Sequence, residues 1–391
     1  MVEVFIMKQA IKNTLHKLHL WLGLVSGLVV FVVAITGCIY VFSYDIKEVI
    51  YKDRGHVEVP ADTSKVSITA LVNTASGVFD NKYPFQNIVI TDEPDHAISI
   101  SFLEIDNTAF GYHNYMKFYK TVYLNPYTGK IIYIENTKNE FFNVMLAVHM
   151  NLYMGYNDYS HYIIAGATWI FVFMLISGLI LWWPKKSQRK QSFWFRWKKT
   201  SKWRRKNYDL HRIFGFYMLL IALLLALTGL MWASKSFNSS VKWVANGGKT
   251  IPYSKISDPK KTIYQDEPLD VIFQSTLTDF PDFKYILIRR HPKPSIPYIV
   301  RAYGHETQNY KRVEMYYDKN TAELLDTFYF KDKNNGEKIQ ALNYDLHVGS
   351  IGGLPTQILM FFASLLIASM PITGILIWYG RHYKKRRTRV K

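Results

Sequence analysis

Imidazole pairs are the groups in this sequence best suited to chemistry. Of twelve histidines, four fall into two matched pairs. His19 stands in Leu18-His-Leu-Trp-Leu-Gly-Leu24, and His211 in Leu210-His-Arg-Ile-Phe-Gly-Phe216, 192 residues later. His149 lies in Ala147-Val-His-Met-Asn-Leu-Tyr-Met-Gly155, and His347 in Asp345-Leu-His-Val-Gly349. Each of the second pair follows an apolar residue and precedes a Gly-containing bend. A low-spin haem iron takes one axial nitrogen from each side of the porphyrin plane. Two histidines facing one another across an axis supply that arrangement. The pairing therefore predicts two haem sites, His19 with His211 and His149 with His347. No C-x-x-C-H is present, so the haems are expected to be b-type, without thioether links. His16 lies one helical turn from His19 and competes with it as a ligand. His161 is a further candidate, although Gln357 stands where its repeat partner would be. His56, His96, His113, His291 and His305 share no register and are read as ordinary loop histidines.

Four uncharged runs must position these residues: Leu20–Tyr44, Tyr162–Trp183, Ile213–Ser234 and Leu354–Tyr379. Each exceeds the ~20 residues an α-helix needs to cross the hydrocarbon core. Trp21, Trp182, Trp183, Trp232 and Trp378 lie near their ends, as interfacial anchors do. The 391 residues carry a formal charge of +18, and the location of that charge is informative. The N-terminal stretch, the 185–212 linker and the tail from Arg381 together hold 22 Lys/Arg against two acidic residues, Glu3 and Asp209. The two long loops are nearly balanced. The positive-inside rule then places both termini and the linker in the cytoplasm and the long loops outside. Anionic lipid accounts for the basic linker without nucleic acid. The single cysteine, Cys38, excludes a disulfide scaffold and thiolate-based zinc or iron–sulfur sites.

The chain repeats itself. His19/His211, Gly23/Gly215, Thr36/Thr228 and Gly37/Gly229 match at an offset of 192. The loop segment Tyr123-Leu-Asn-Pro-Tyr-Thr-Gly-Lys130 matches Tyr316-Tyr-Asp-Lys-Asn-Thr321 at 193, and the second and fourth spans match at 196. Ser/Thr-Gly recurs at one end of every span: Thr36-Gly37, Ser177-Gly178, Thr228-Gly229, Thr373-Gly374. This recurrence makes Cys38 part of a structural motif and not a lipidation site. Thr36-Gly37 and Thr228-Gly229 lie about 27 Å along their helices from the inner histidines, at 1.5 Å per residue. They are therefore expected beside the outer site, and the other two pairs beside the inner one, where glycine lets a flat ring approach.

The expected fold is an α-helical integral membrane protein with four transmembrane helices in two tandem repeats, each carrying an outer α+β domain. Apolar alternation at Asn87–Ile90, Ala97–Phe102 and Lys284–Arg289 reads as strand, and Ser67–Ser76 and Leu269–Thr276 read as helix. Pro126 and Gly129 supply turn chemistry for a hairpin across 123–133. The divisions in chain order are 1–44 (N-terminus and first span), 45–140 (first outer domain), 141–184 (pre-helix and second span) and 185–212 (basic linker). There follow 213–234 (third span), 235–342 (second outer domain), 343–380 (pre-helix segment and fourth span) and 381–391 (basic tail).

These motifs, from about residue 12 to 380, resemble the PepSY-associated transmembrane family. The resemblance implies that the outer domains are periplasmic and PepSY-like, that the membrane is the inner one, and that iron acquisition is the setting. The best understood relatives resemble ferric-siderophore reductases that pass electrons through two b-type haems to a periplasmic iron chelate. The haem ligands carried over are His19, His211, His149 and His347. Some relatives carry a fused cytoplasmic flavin domain. Here only eleven residues follow Gly380, so a separate donor, quinol or a cytoplasmic reductase, is expected. The other functional class is a non-enzymatic anchor presenting PepSY modules to periplasmic partners. Haem content separates the two, because a bare anchor has no use for paired histidines.

Overall fold

The computed structural model describes residues 2–61, 64–184, 186, 189–251, 268–293, 295–305 and 308–389. Lys185 and the end of the basic tail lie outside them. In chain order the helices are α1 (Val2–Tyr40), α2 (Ser43–Ile50), α3 (Lys52–Gly55), α4 (Ile68–Gly77), α5 (Tyr112–Tyr115), α6 (Phe141–Asn151) and α7 (Asp158–Trp182). The second half continues with α8 (Arg189–Phe193), α9 (Trp203–Tyr217), α10 (Leu219–Ala233), α11 (Lys235–Ala245), α12 (Pro268–Asp279), α13 (Asn335–Val348) and α14 (Leu354–Arg389). The chain divides into two compact units, one of residues Met1–Val41, Met145–Asn238 and Leu346–Lys391, the other of Phe42–Val144 and Ser239–Asp345.

The first unit is helical and apolar. Three helices are long and apolar enough to cross a membrane: Ala10–Tyr40, Asp158–Trp182 and Leu354–Arg381. The expected third span is not one straight helix. It is the pair α9 and α10, bent by 63° at Met218, and it makes a fourth crossing if the pair counts as one. Helix α10 alone has 15 residues, short of the ~20 a span needs. Helix α1 packs on α7 and α14, α10 packs on α7, and α9 packs on α14. Large apolar side chains on the outside of this bundle are exposed, among them Val25, Leu28, Trp169, Leu220 and Phe362. That surface is stable against hydrocarbon and costly against water. Helix α1 runs unbroken through Thr36-Gly37-Cys38, and Cys38 is buried. Helix α7 starts with a reciprocal cap: the Ser160 amide donates to the Asn157 side chain, and the Ser160 hydroxyl lies against the Asn157 amide.

The second unit is one antiparallel sheet of eight strands: β1 (Phe85–Thr91), β2 (Ile98–Ile105), β3 (Met116–Leu124), β4 (Ile131–Glu135), β5 (Tyr285–Arg289), β6 (Tyr298–Tyr303), β7 (Val313–Tyr317) and β8 (Leu324–Phe328). Their order is β4-β3-β2-β1-β5-β6-β7-β8. Two outer domains were expected from the sequence, and the two sets of strands instead share a sheet. β1 pairs directly with β5, in a register that sets Ile88 opposite Ile288 and Ile90 opposite Ile286. These four isoleucines are at most 1% exposed. Their period-two spacing puts all of them on one face, under α4 and α12. Val300, Met315 and Tyr317 complete the same core. Asp270 of α12 accepts hydrogen bonds from the first-turn amides of Ile68 and Thr69, so a residue of the second half caps the helix of the first. The 123–133 hairpin turns through Asn125, whose side chain accepts from the amides of Tyr127 and Thr128, with Gly129 at φ 70°.

Helix α6 begins at a buried carboxylate. Glu140 accepts from the amides of Phe142 (3.1 Å) and Asn143 (2.9 Å), and Lys47 lies 2.8 Å from it. Burial opposes its charge, but the Lys47 ammonium and the two amides outweigh burial and hold the carboxyl below the usual glutamate range. A carboxylate with a depressed native value stabilises the fold above the unfolded-state value and loses that contribution as pH falls through the native one. Glu140→Ala is expected to cost about 1–3 kcal/mol at neutral pH, from the lost cap and charged hydrogen bonds. The difference from wild type should vanish in acid. Thermal unfolding of both proteins at neutral and acidic pH checks this. An undiminished difference in acid would remove Glu140 as its source.

Candidate functional site

All four matched histidines lie in the helical unit, and each faces a Ser/Thr-Gly pair on another helix. His19 of α1 faces α7: its Nδ1 is 2.9 Å from the Ser177 hydroxyl, and its ring lies against Gly178. His211 of α9 faces α14, with Nδ1 2.8 Å from the Thr373 hydroxyl and the ring beside Gly374. His347 of α13 faces α10, with Nδ1 2.8 Å from the Thr228 hydroxyl and the ring beside Gly229. His149 of α6 faces α1 with one difference. Its Nδ1 is 2.8 Å from the Val33 carbonyl, while Thr36 bonds back to Val32 and Val33. The ring lies on Gly37, where a Cβ would come within 2.7 Å of Cε1.

These contacts favour one tautomer. The Thr228 hydroxyl donates to the Leu224 carbonyl at 2.7 Å, so towards His347 it accepts. Thr373 donates to the Ser369 and Met370 carbonyls, and Ser177 to Met174. A carbonyl can only accept. The Val33 carbonyl and the Thr228 and Thr373 hydroxyls, which donate to carbonyls of their own helix, are placed to accept from Nδ1, an arrangement that would leave Nε2 free. A metal-ligating histidine has that form, with its second nitrogen donating to an oxygen that sets the ring's orientation. The glycines were expected to let a flat ring approach the backbone. The ring that uses the space is imidazole.

His149 and His347 have ring centroids 6.0 Å apart. Two imidazoles sharing one metal at about 2.0–2.1 Å per bond have nitrogens about 4 Å apart and centroids about 6 Å apart. The observed separation fits a shared iron. All four rings are partly exposed. Two residues past His149, Asn151 is 1% exposed and neither atom of its amide has a hydrogen-bond partner. A buried amide in that state costs about 1–3 kcal/mol unless a further group meets it. The His149–His347 pair thus has a ring separation that a haem iron held between two imidazoles would need, with an unpartnered buried amide two residues beyond His149.

The two remaining candidates are placed elsewhere. His16 is exposed, and its Nε2 accepts from the Arg381 guanidinium at 2.9 Å. His161 is exposed, with Nδ1 2.8 Å from the Asn157 carbonyl one turn back on its own helix. Neither faces a Ser/Thr-Gly pair. Sequence reasoning gave the glycine of each pair a role and passed over the hydroxyl, although Ser or Thr precedes glycine in all four. Asn151 left no signal in the sequence.

A bundle of apolar helices carrying facing histidines, together with a sheet unit, defines a multi-pass membrane protein. The family model described as the PepSY-associated TM region matches residues 16–381, and the chain belongs to that family. No curated protein matches the chain significantly.

Proposed function

We propose that this protein carries electrons across the inner membrane through two b-type haems, one held by His19 and His211 and one by His149 and His347, to a ferric chelate of the siderophore class in the periplasm. The observation that carries this reading is the common setting of the four imidazoles, each with Nδ1 against an oxygen of a neighbouring helix, which would leave Nε2 open to a metal. A haem bound at each pair would supply a one-electron centre of low spin. The chain's own residues hold the axial rings in orientation, and the hydroxyls of Ser177, Thr228 and Thr373 would favour the proton on Nδ1, off the ligating nitrogen. Ferrous iron suits a hard oxygen-donor chelator less well than ferric iron does, so reduction loosens the complex. No nucleophile or carboxylate dyad is required. The donor in this reading is a separate quinol or cytoplasmic reductase. A non-enzymatic PepSY binding module would have no use for four histidines in this common setting.

The reading takes the bent α9–α10 pair as the third of four spans, built as two tandem copies of helix, outer segment and helix. Support for orientation comes from the 22 basic residues set against two acidic ones at the termini and the 185–212 linker. Reporter fusions at Lys190 and at the C-terminus should report cytoplasm, and fusions at Asn125 and Asn320 periplasm. A periplasmic signal at Lys190 would invert the proposed direction of electron flow. The decisive measurement is a pyridine-haemochrome assay on purified protein, expected to give about two b haems per chain. Near-zero haem overturns the proposal.

A further inference from the structure

A second histidine cluster lies in the sheet unit. After α3 the chain passes antiparallel to the segment that leads into β2, and His56 and His96 form a bridge there. The Val57 amide donates to the Asp95 carbonyl (2.8 Å), and the Ala97 amide to the Gly55 carbonyl (2.7 Å). Backbone pairing thus holds the two imidazoles side by side, with ring centroids 4.5 Å apart. Glu48 of α2 reaches the same point: its Oε1 is 3.0 Å from His96 Nε2 and 3.6 Å from His56 Nε2.

We propose that His56, His96 and Glu48 form a binding site for one divalent transition-metal cation. Each residue offers one atom, and the three atoms lie within 4.8 Å of one another. Ligands at 2.0–2.2 Å around a tetrahedral cation stand about 3.3–3.5 Å apart, and the two measured separations bracket that range. Hydrogen bonding alone does not explain the geometry, because 3.6 Å is beyond a hydrogen bond and leaves His56 Nε2 aimed at an oxygen it does not reach.

The other ring nitrogens are committed elsewhere. His56 Nδ1 is 3.2 Å from the Lys52 carbonyl. His96 Nδ1 is 3.0 Å from Asp95 Oδ1 and 3.0 Å from Glu93 Oε2. A carboxylate behind a histidine turns the second nitrogen into a stronger and better-oriented ligand. Three carboxylates, Glu48, Glu93 and Asp95, stand around the two imidazoles and attract a cation. The side chains are 42% (Glu48), 25% (His56) and 14% (His96) exposed, so the site is open to solvent and a fourth position is left for water. Two imidazoles and one carboxylate favour zinc, ferrous iron and their neighbours over calcium or magnesium, which take oxygen ligands.

The test uses full-length protein, haem as isolated, with any histidine tag removed and adventitious metal stripped by chelator. Samples are dialysed to equilibrium against micromolar free Zn2+ and analysed for zinc and protein. Wild type is expected to hold one more zinc per chain than His96→Ala. Glu48→Gln should weaken binding at least tenfold; Glu48 is on the surface, so this variant removes the anionic ligand without disturbing packing. Asp95→Asn, which touches no metal, should weaken it roughly tenfold to a hundredfold by slackening His96. His305→Ala should bind as wild type does, because His305 stands with Asp92 and Asp282 in a different cluster. Equal zinc content in wild type and His96→Ala, or wild-type affinity in Glu48→Gln, overturns the proposal.

Discussion

On the proposed di-haem function, replacing His347 by Ala is expected to remove one of the two haems and leave the other low-spin. The variant loses an imidazole whose ring centroid lies 6.0 Å from that of His149 and whose Nδ1 faces Thr228 of α10. A haem left with one axial imidazole is lost or turns high-spin. The absorption spectrum of the reduced protein should therefore fall by about half in its low-spin bands. Electron delivery to an added ferric chelate should stop, while reduction from the donor side still reaches the remaining haem. His149→Ala should behave in the same way. His211→Ala should do the reverse, keeping the His149–His347 haem reducible by an outer-side reductant. His19→Ala should match His211→Ala, because His16, which stands one turn away, is engaged with Arg381 and does not face Ser177. His161→Ala is the control and should keep two haems. If His161→Ala lost a haem while His149→Ala kept both, the pairing would be wrong.

The second large effect concerns an atom the protein omits. Alanine in place of a mid-helix glycine ordinarily stabilises a helix by about 0.5–1 kcal/mol. At Gly37 the sign should reverse. The new methyl would sit 2.7 Å from His149 Cε1 and 3.0 Å from Nδ1, and the ring has little room to retreat because Nδ1 is tied to Val33 on the same helix. His149 must then leave its position, and the Gly37→Ala protein should lose the same haem as His149→Ala. At Gly374 and Gly229 the corresponding atoms are 3.6 and 3.7 Å away, which is ordinary contact. Gly374→Ala and Gly229→Ala should keep both haems. Equal haem content in all three alanine variants would show that Gly37 does not set the ring's place.

Much of this was legible because it rests on local pattern. Uncharged runs of more than twenty residues located the helices, and Asn125–Gly129 located the hairpin turn. The four histidines stood out by their recurrence. What the sequence hid depends on residues far apart in the chain or on geometry without a residue signature. The bend at Met218 has neither proline nor glycine at the break, and the segment reads as one apolar run. The pairing of β1 with β5 joins segments almost two hundred residues apart, and each strand looks the same whether it is an edge or a centre. His56 and His96 seemed unrelated because forty residues separate them, and only the backbone bridge brings them together.

That central pairing has a consequence for how the protein is made. β1 reaches its place long before β5 exists, since every residue from Asp92 to Lys284 must be synthesised in between. At about 5–20 residues per second, the ribosome takes roughly 10–40 s over that interval. Once β4 has been made, the first four strands can form a half-sheet whose β1 edge presents unpaired amides and carbonyls over Ile88 and Ile90 for the rest of that interval. Meanwhile the helices α7, α9 and α10 have to enter the bilayer. The nascent chain thus carries an adhesive edge through its own membrane insertion, open to any other half-sheet nearby. A chaperone holding β1 until the second half emerges would protect the yield of this protein more than one acting on the finished chain.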